Sequence, residues 1–458
     1  MDMAVCGCAP SLQCGYSARR MHQGFPSLLT GLIALNVLGC RVPVHEDMSF
    51  LVISMDTVRA DHIGAQDASG HPLSPSLNAF AAESMVYSRA FAQSNETLFS
   101  HTALFTGRNP SHWGDLSYLS YRLPADAPTL ASLLSRAGYQ TEAIVAGGHL
   151  SPGFGLTVGF QRYQSMQDFS SFQETVPRAQ ERLAALAETD RPFLLFVHGY
   201  DAHSPYVKPG TLFRPDTPDY EGELLQLARN PLTVERIYGD RYYPEFLPGS
   251  LTGASGRDVL DPEVFTELER HAETHPGQQL SAEDLAFLQG TYDAAIRNLD
   301  FFVGVLLEDL AAQGLAERTT VVVLADHGED LLDHGFFNHR FSLHDENIHV
   351  PLMIRTPGQA PGVVTDPVAL TDVLPSVLSL AELSVPAELS APLAAGTDPD
   401  RVVYAESLRG EQSWRSRHGR LIARGDTVQW VGSEEGGALS SEAEQVLRQA
   451  HTAARSDQ

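Results

Sequence analysis

Short apolar runs recur along the chain and break off at polar or glycine-rich turns. Phe50 to Ser54 (FLVIS) leads into Met55-Asp56, Glu142 to Ala146 (EAIVA) into Gly147-Gly148, and Phe193 to Val197 (FLLFV) into His198 and Asp201. Thr320 to Leu324 (TVVVL) leads into Asp326-His327, and Val350 to Ile354 (VPLMI) into Pro357-Gly358. Such short apolar runs are the pattern of parallel strands buried on both faces.

Between the runs the apolar period becomes helical. Thr129 to Ala137 (TLASLLSRA) stops at Gly138, a fitting residue for a left-handed helix end. Tyr292 to Ala312 places Ile296, Leu299, Val303, Leu306, Leu307 and Leu310 on one face. Strands alternating with helices predict an α/β fold, a mostly parallel central sheet flanked by helices. In such sheets function gathers beyond the carboxyl ends of the strands. Asp56, Asp201 with His203, and Asp326 with His327 all fall there.

This pattern fills residues 46–385. Within it, 208–285 is polar, acidic and turn-rich, and reads as an insertion or cap over the sheet. Past Pro386 the pattern thins, and 386–458 is expected to form a small C-terminal subdomain and polar tail, with strands at Arg401 to Glu406 and Leu421 to Ala423.

Composition narrows the function. A chain of 458 residues, 43 % hydrophobic, builds one large core with an appendage. Acidic residues outnumber basic ones 57 to 31, a formal net charge of −26, and no Lys/Arg cluster offers a footprint for nucleic acid. An anionic small substrate would have to be neutralised locally, by a metal or a few placed cations.

All four cysteines, Cys6, Cys8, Cys14 and Cys40, lie in the first forty residues, so the body has no thiol nucleophile and no cysteine-based metal site. Arg19-Arg20 precede an uncharged, mostly apolar stretch from Phe25 to Gly39, fifteen residues where a spanning helix needs about 20. Residues 1–40 therefore read as a signal peptide. Val37-Leu38-Gly39-Cys40 resembles a bacterial lipobox, with an ordinary signal peptide or a later start at Met21 as alternatives. The expected product is exported, and in a bacterium either periplasmic or membrane-anchored through Cys40, a lipid anchor being its only membrane contact.

The chemistry begins at Asp326-His327-Gly328-Glu329. Adjacent Asp and His at a strand end reach one cation if the chain turns, which Gly328 permits, and Asp56 adds a hard oxygen from another strand end. Carboxylates with one imidazole suit Zn²⁺ or Mn²⁺, and carboxylates alone Ca²⁺ or Mg²⁺. The competing reading makes Asp326 a helix cap and His327 a surface residue. The stretch from Thr97 to Gly107 reads as a helix. Thr97 at its start is either the N-cap or a hydroxyl placed in positive potential beside an anionic substrate.

Several segments, in order, resemble the sulfatase family of the alkaline phosphatase superfamily. Asp56-Thr57-Val58-Arg59-Ala60-Asp61-His62 resembles its opening motif, and Thr97 to Arg108 the nucleophile segment in its T-x-P-S-H-x-x-L-x-T-G version. Pro128 to Ala131 and Gly138 to Thr141 match the next helix and strand. Asp201-Ala202-His203-Ser204-Pro205-Tyr206 resembles D-x-H-x-P-Y, and Asp326 to Glu329 the D-H-G-E metal motif. His349 to Leu352 and Leu370 to Pro375 match later landmarks, so the likeness covers about 48–385.

The resemblance implies one divalent metal ion (Ca²⁺, Zn²⁺ or Mn²⁺), held by Asp56, Asp326 and His327, with Thr97 both ligand and nucleophile. His203 is implied to contact the substrate, and one of His339 and Arg340 to occupy the place of a substrate-binding Lys. His112 is expected to be structural. Sulfatases convert a Cys or Ser at the nucleophile position to formylglycine, but here that position is Thr97, the motif's Pro is Phe99 and its Arg is His101. Superfamily members that attack phosphorus use an unmodified Thr. The expected activity is hydrolysis of a sulfate or phosphate ester on a small molecule, glycan or lipid. The alternatives are a phosphoethanolamine-type transferase acting on surface lipid or glycan, and a non-catalytic binder of sulfated or phosphorylated glycans.

Overall fold

The computed structural model describes residues 48–67, 69–204, 206, 211–214, 282–331, 333–334, 338–393, 398, 401–425, 427–432 and, in part, 445–452. The export segment expected at 1–40, nearly all of the cap expected at 208–285 and most of the polar tail lie outside the described residues. No helix among the described residues is long and apolar enough to cross a membrane.

The central sheet contains β1 (Ser49–Met55), β2 (Met85–Tyr87), β3 (Gln140–Val145), β4 (Arg162–Ser165), β5 (Phe193–Gly199), β6 (Thr319–Ala325), β7 (Leu352–Arg355) and β8 (Gly362–Val364). Their order is β8-β2-β7-β6-β1-β5-β3-β4. All run parallel to β1 except β7, which is antiparallel to both its neighbours. Every residue of β1, β5 and β6 is buried, which is why these stretches are apolar without alternation.

Helices cover the sheet: α1 (Pro75–Ala82), α2 (Thr97–Thr106), α3 (Leu130–Arg136), α4 (Phe172–Ala187), α5 (Ala282–Ala312) and α6 (Val373–Leu380). The start of α3 is closed by Thr129, whose hydroxyl accepts from Ser132 N–H at 3.0 Å. Gly107 ends α2 at φ +67°, a left-handed conformation that glycine adopts without strain.

One strand expectation needs correcting. Val350 to Ile354 is not a single parallel strand. Pro351 divides it, so that His349–Val350 pairs with Ala90–Phe91 in a separate small sheet while Leu352 onward forms the antiparallel β7. Proline lacks the N–H a central strand needs, and Pro351 instead offers its carbonyl to Ala325 N–H at 3.2 Å.

Residues β9 (Val403–Glu406), β10 (Glu411–Ser416), β11 (Gly419–Arg424) and β12 (Thr427–Gly432) form an antiparallel sheet in chain order. It grips the loop that carries His339 and Arg340. The fully buried Arg415 donates to Leu343 O and pairs with Asp345 at 3.0 Å, Glu411 accepts from Leu343 N–H, and Arg424 donates to Phe341 O at 3.1 Å.

Register places the site. Met55 lies level with Gly199 on one side and Ala325 on the other. Asp56, Tyr200 and Asp326 therefore leave three adjacent strands at one height, and Asp56 N–H donates to Gly199 O at 3.1 Å.

Candidate active site

Asp56, Asp326 and His327 converge at the ends of β1 and β6, with one ligand atom from each lying within 4.8 Å of the others. All three are fully buried. The chain turns after His327 as a bound cation requires, and Gly328 is obligatory there: a Cβ would meet Glu346 O at 1.9 Å. Glu96, not Thr97, occupies the cap position of α2. The Thr97 side chain is thereby released from capping. Its hydroxyl donates to Asp56 Oδ2 at 3.1 Å and lies 3.3 Å from His327 Nε2.

The electrostatics fit a cation. Burial raises the Asp326 carboxyl above the ordinary carboxylate range, and the neighbouring Asp56 adds to the rise. Burial opposes charge on His327, but Asp326 and Asp56 outweigh it and push the imidazole up. Asp326 Oδ2 accepts no hydrogen bond, and His101 and His327 approach it only to 3.5 Å. Two buried acids sharing one space, with an oxygen left over, are a set of hard donors that a divalent ion would satisfy.

Two buried imidazoles stand under this set. His198, within β5, lies 3.4 Å through Nε2 from Asp56 Oδ2. His101, on α2, reaches Thr97 O through Nδ1 at 2.8 Å and Ser54 Oγ through Nε2 at 2.9 Å. A carbonyl only accepts, so Nδ1 carries the His101 proton and Ser54 donates to Nε2. Burial pushes both rings down to about 4, so both are neutral. His101, His198 and Asp326 also lie within metal-binding distance of one another, but both His101 nitrogens are committed to protein partners. His101 braces the first turn of α2.

Two more predicted residues, His203 and His339, lie beside His327. The His339 ring lies 4.4 Å from that of His327 and 5.3 Å from that of His203. His339 Nδ1 is 3.1 Å from Glu329 Oε1. Burial, with His327 and His203 near, drives the His339 imidazole well down, while burial, Asp56 and Asp330 drive the Glu329 carboxyl well up. Burial thus disfavours charge on both members of the pair. Arg340 faces the other way: its Nε is 3.5 Å from Glu96 Oε2 and its guanidinium lies over Tyr118. Spacing left the choice between His339 and Arg340 open, and the structure sets His339 against His327 and Arg340 beside Glu96. His112 stands outside the site, exposed and edge-on against Trp113.

The family model for sulfatases matches residues 49–383. The chain belongs to the sulfatase family. A Delta 4,5-hexuronate-2-O-sulfatase from Bacteroides thetaiotaomicron is 22 % identical over 416 residues, 84 % of this chain and 76 % of that protein. Arylsulfatase K from Bos taurus is 28 % identical over 141 residues, and there the chain spans only 25 % of the relative's length. Among solved structures, a phosphonate monoester hydrolase from Silicibacter pomeroyi superposes with a TM-score of 0.61 at 18 % identity, covering 89 % of this chain and 94 % of that one.

Sequence reading passed over four residues of this sulfatase-family site. His198 and Tyr200 follow the apolar run of β5, and His149 follows Gly147-Gly148 after β3, all at strand carboxyl ends where ligands gather. Tyr118 stacks on His149 with ring centres 4.1 Å apart, and its hydroxyl binds Glu96. No strand or motif precedes Tyr118, so no sequence signal marked it. Burial, together with Arg340 and His327, pushes His149 down to about 3.

Proposed function

We propose that this protein is a metal-dependent hydrolase that cleaves a phosphate or sulfate ester by in-line attack from Thr97. One observation carries this reading: the Thr97 hydroxyl is freed from capping and aimed between Asp56 and His327. Asp56, Asp326, His327 and Thr97 would hold a divalent cation, which lowers the pKa of a bound hydroxyl and neutralises ester oxygens.

The protein's own groups do the rest. The first turn of α2 presents free N–H groups beside the attacking oxygen, a positive potential for an anion. His203 and His339, with ring centres 5.3 Å apart, line one side of the approach as hydrogen-bonding groups. Arg340, held by Glu96, adds positive charge at the rim. Thr97 has no geminal hydroxyl, unlike an aldehyde hydrate, so a sulfated Thr97 has no internal route for expelling sulfate. A phosphorylated Thr97 is open to attack by water at phosphorus. We therefore assign the enzyme to phosphodiesters or phosphonate esters ahead of sulfates. The Bacteroides thetaiotaomicron relative is named a hexuronate-2-O-sulfatase, and we carry over its carbohydrate character for the natural substrate. The Arg19-Arg20 and apolar segment ending at Cys40 supports an exported enzyme.

Matched 4-nitrophenyl substrates test the assignment. A diester phosphate or phosphonate should turn over faster than the sulfate, and Thr97→Ala should abolish both. Faster sulfate release that is lost in Thr97→Ala overturns the preference, and activity retained in Thr97→Ala overturns the nucleophile.

A further inference from the structure

Phe169 lies on the loop from β4 to α4, beyond the carboxyl end of a parallel strand and so on the side of the sheet that carries the site. It is one of five large apolar side chains among the described residues that stay exposed, at 37 %. Its φ is +61°, a left-handed conformation that is rare for any residue with a Cβ and an outlier for a bulky one. The chain on either side holds it there. Met166 N–H donates to Val145 O at 2.8 Å and Ser170 N–H to Ala146 O at 3.1 Å. The Asp168 carboxylate accepts from Gly148 N–H at 2.7 Å. Strain that fixed neighbours impose on an exposed apolar residue marks a position kept for something other than packing.

The ring stands beside the site. Its centre lies 5.1 Å from that of Tyr200 and 5.2 Å from that of His203. His203 is 5.3 Å from His339, and His339 4.4 Å from His327. Phe169 is therefore the outer member of a row of rings that ends at the candidate metal ligands. Tyr200 braces it from behind. Tyr200 is fully buried, its N–H donates to Ser170 O at 2.9 Å, and its hydroxyl accepts from His149 N–H at 3.3 Å. Gly148 leaves room for that hydroxyl, since a Cβ there would lie 2.8 Å from it. Phe169 is thus held on one side while part of its ring stays open.

We propose that Phe169 is a specificity-determining residue, an apolar platform for a ring carried by the organic group of the ester. The inference rests on the reading of Asp56, Asp326 and His327 as the place where an anionic ester is held. An ester group bound there sends its organic part outward past His339 and His203, and Phe169 is the flat apolar surface that part meets next. A sugar ring has a face of C–H groups and a rim of hydroxyls. The face suits a phenyl ring, and the hydroxyls suit the neighbouring imidazoles. Phe169 has no polar side-chain atom, so it selects for shape rather than charge. An ester of an acyclic alcohol gains less from it.

The test uses the full chain loaded with Mn²⁺ and titrated calorimetrically with two phosphonates, whose carbon–phosphorus bonds resist hydrolysis. One, 2-cyclohexylethylphosphonate, carries a saturated ring two carbons from phosphorus, and the other, ethylphosphonate, is the same chain without the ring. Wild type should bind the ring compound about tenfold more tightly. Phe169→Ala should lose most of that preference while keeping its affinity for ethylphosphonate, and Phe169→Tyr should retain the preference. No preference in wild type, or an equal preference in Phe169→Ala, overturns the role of Phe169. Equal weakening of both compounds in Phe169→Ala also overturns it, because that is the effect of a merely structural residue. Phe169→Gly, which takes φ +61° without strain, should show the same loss and carries the test if Phe169→Ala does not fold. A preference kept in Phe169→Gly assigns the effect to the loop and overturns the proposal. Failure of wild type to bind either compound in the presence of Mn²⁺ overturns the anionic-ester reading itself, and Phe169 with it.

Discussion

His198 Nε2 lies 3.4 Å from Asp56 Oδ2, and neither side chain has any solvent exposure. The same carboxylate oxygen accepts from Thr97, so one buried imidazole stands behind the group that holds the Thr97 hydroxyl. Partners behind a metal ligand fix its geometry and typically account for 10–100-fold in metal affinity. His198→Phe should therefore weaken Mn²⁺ or Zn²⁺ binding by about 10–100-fold while leaving the sheet intact. Competition against a chelator measures it. Unchanged affinity would make His198 a packing residue.

Asp326 carries opposite consequences with and without metal. Its carboxyl is buried against Asp56, and burial and that neighbour both disfavour its charge. In chelator-treated protein, Asp326→Asn should raise the melting temperature by removing one of two mutually repelling buried acids. Divalent metal should then stabilise wild type, by RT ln(1 + [L]/Kd), and leave the variant unmoved. A variant that metal stabilises as strongly as wild type would remove Asp326 from the ligand set.

A pH signature comes from Asp330, whose carboxyl is pushed up to about 7, by burial first and by Asp333 next. Its folded value lies above its unfolded one, so the folded state binds the proton more tightly. Asp330 thus penalises stability most above pH 7, and the penalty shrinks as pH falls toward the unfolded carboxyl range near 4. Asp330→Asn should raise the melting temperature of metal-free protein at pH 8 and lose that advantage progressively by about pH 4. An advantage independent of pH would mean that Asp330 is ionised throughout.

Much of this was legible in the sequence, because apolar strands that are buried on both faces announce themselves and their ends locate the site. β1 and β6 are each followed directly by an acid of the site, Asp56 and Asp326. The antiparallel course of β7 was not legible, since an apolar run carries no direction, and Pro351 was the one hint that the run divides. His149, His198 and Tyr200 were missed because an aromatic or imidazole near a strand end reads first as core, and Tyr118 because it follows no strand or motif. Their roles come from packing across elements, such as the cradle Gly148 leaves for Tyr200. The opposite shifts of His339 and Glu329 likewise come first from burial, which residue type alone does not give.

Thr97 is where the account stands or falls. Wild-type protein loaded with Mn²⁺ and mixed with bis(4-nitrophenyl) phosphate should be quenched in acid within the first turnover and mapped by peptide mass spectrometry. The account predicts a phosphoryl ester on Thr97, absent from Thr97→Ala. Product formation with Thr97 unmodified at every time point, or an ester on another residue, would contradict it.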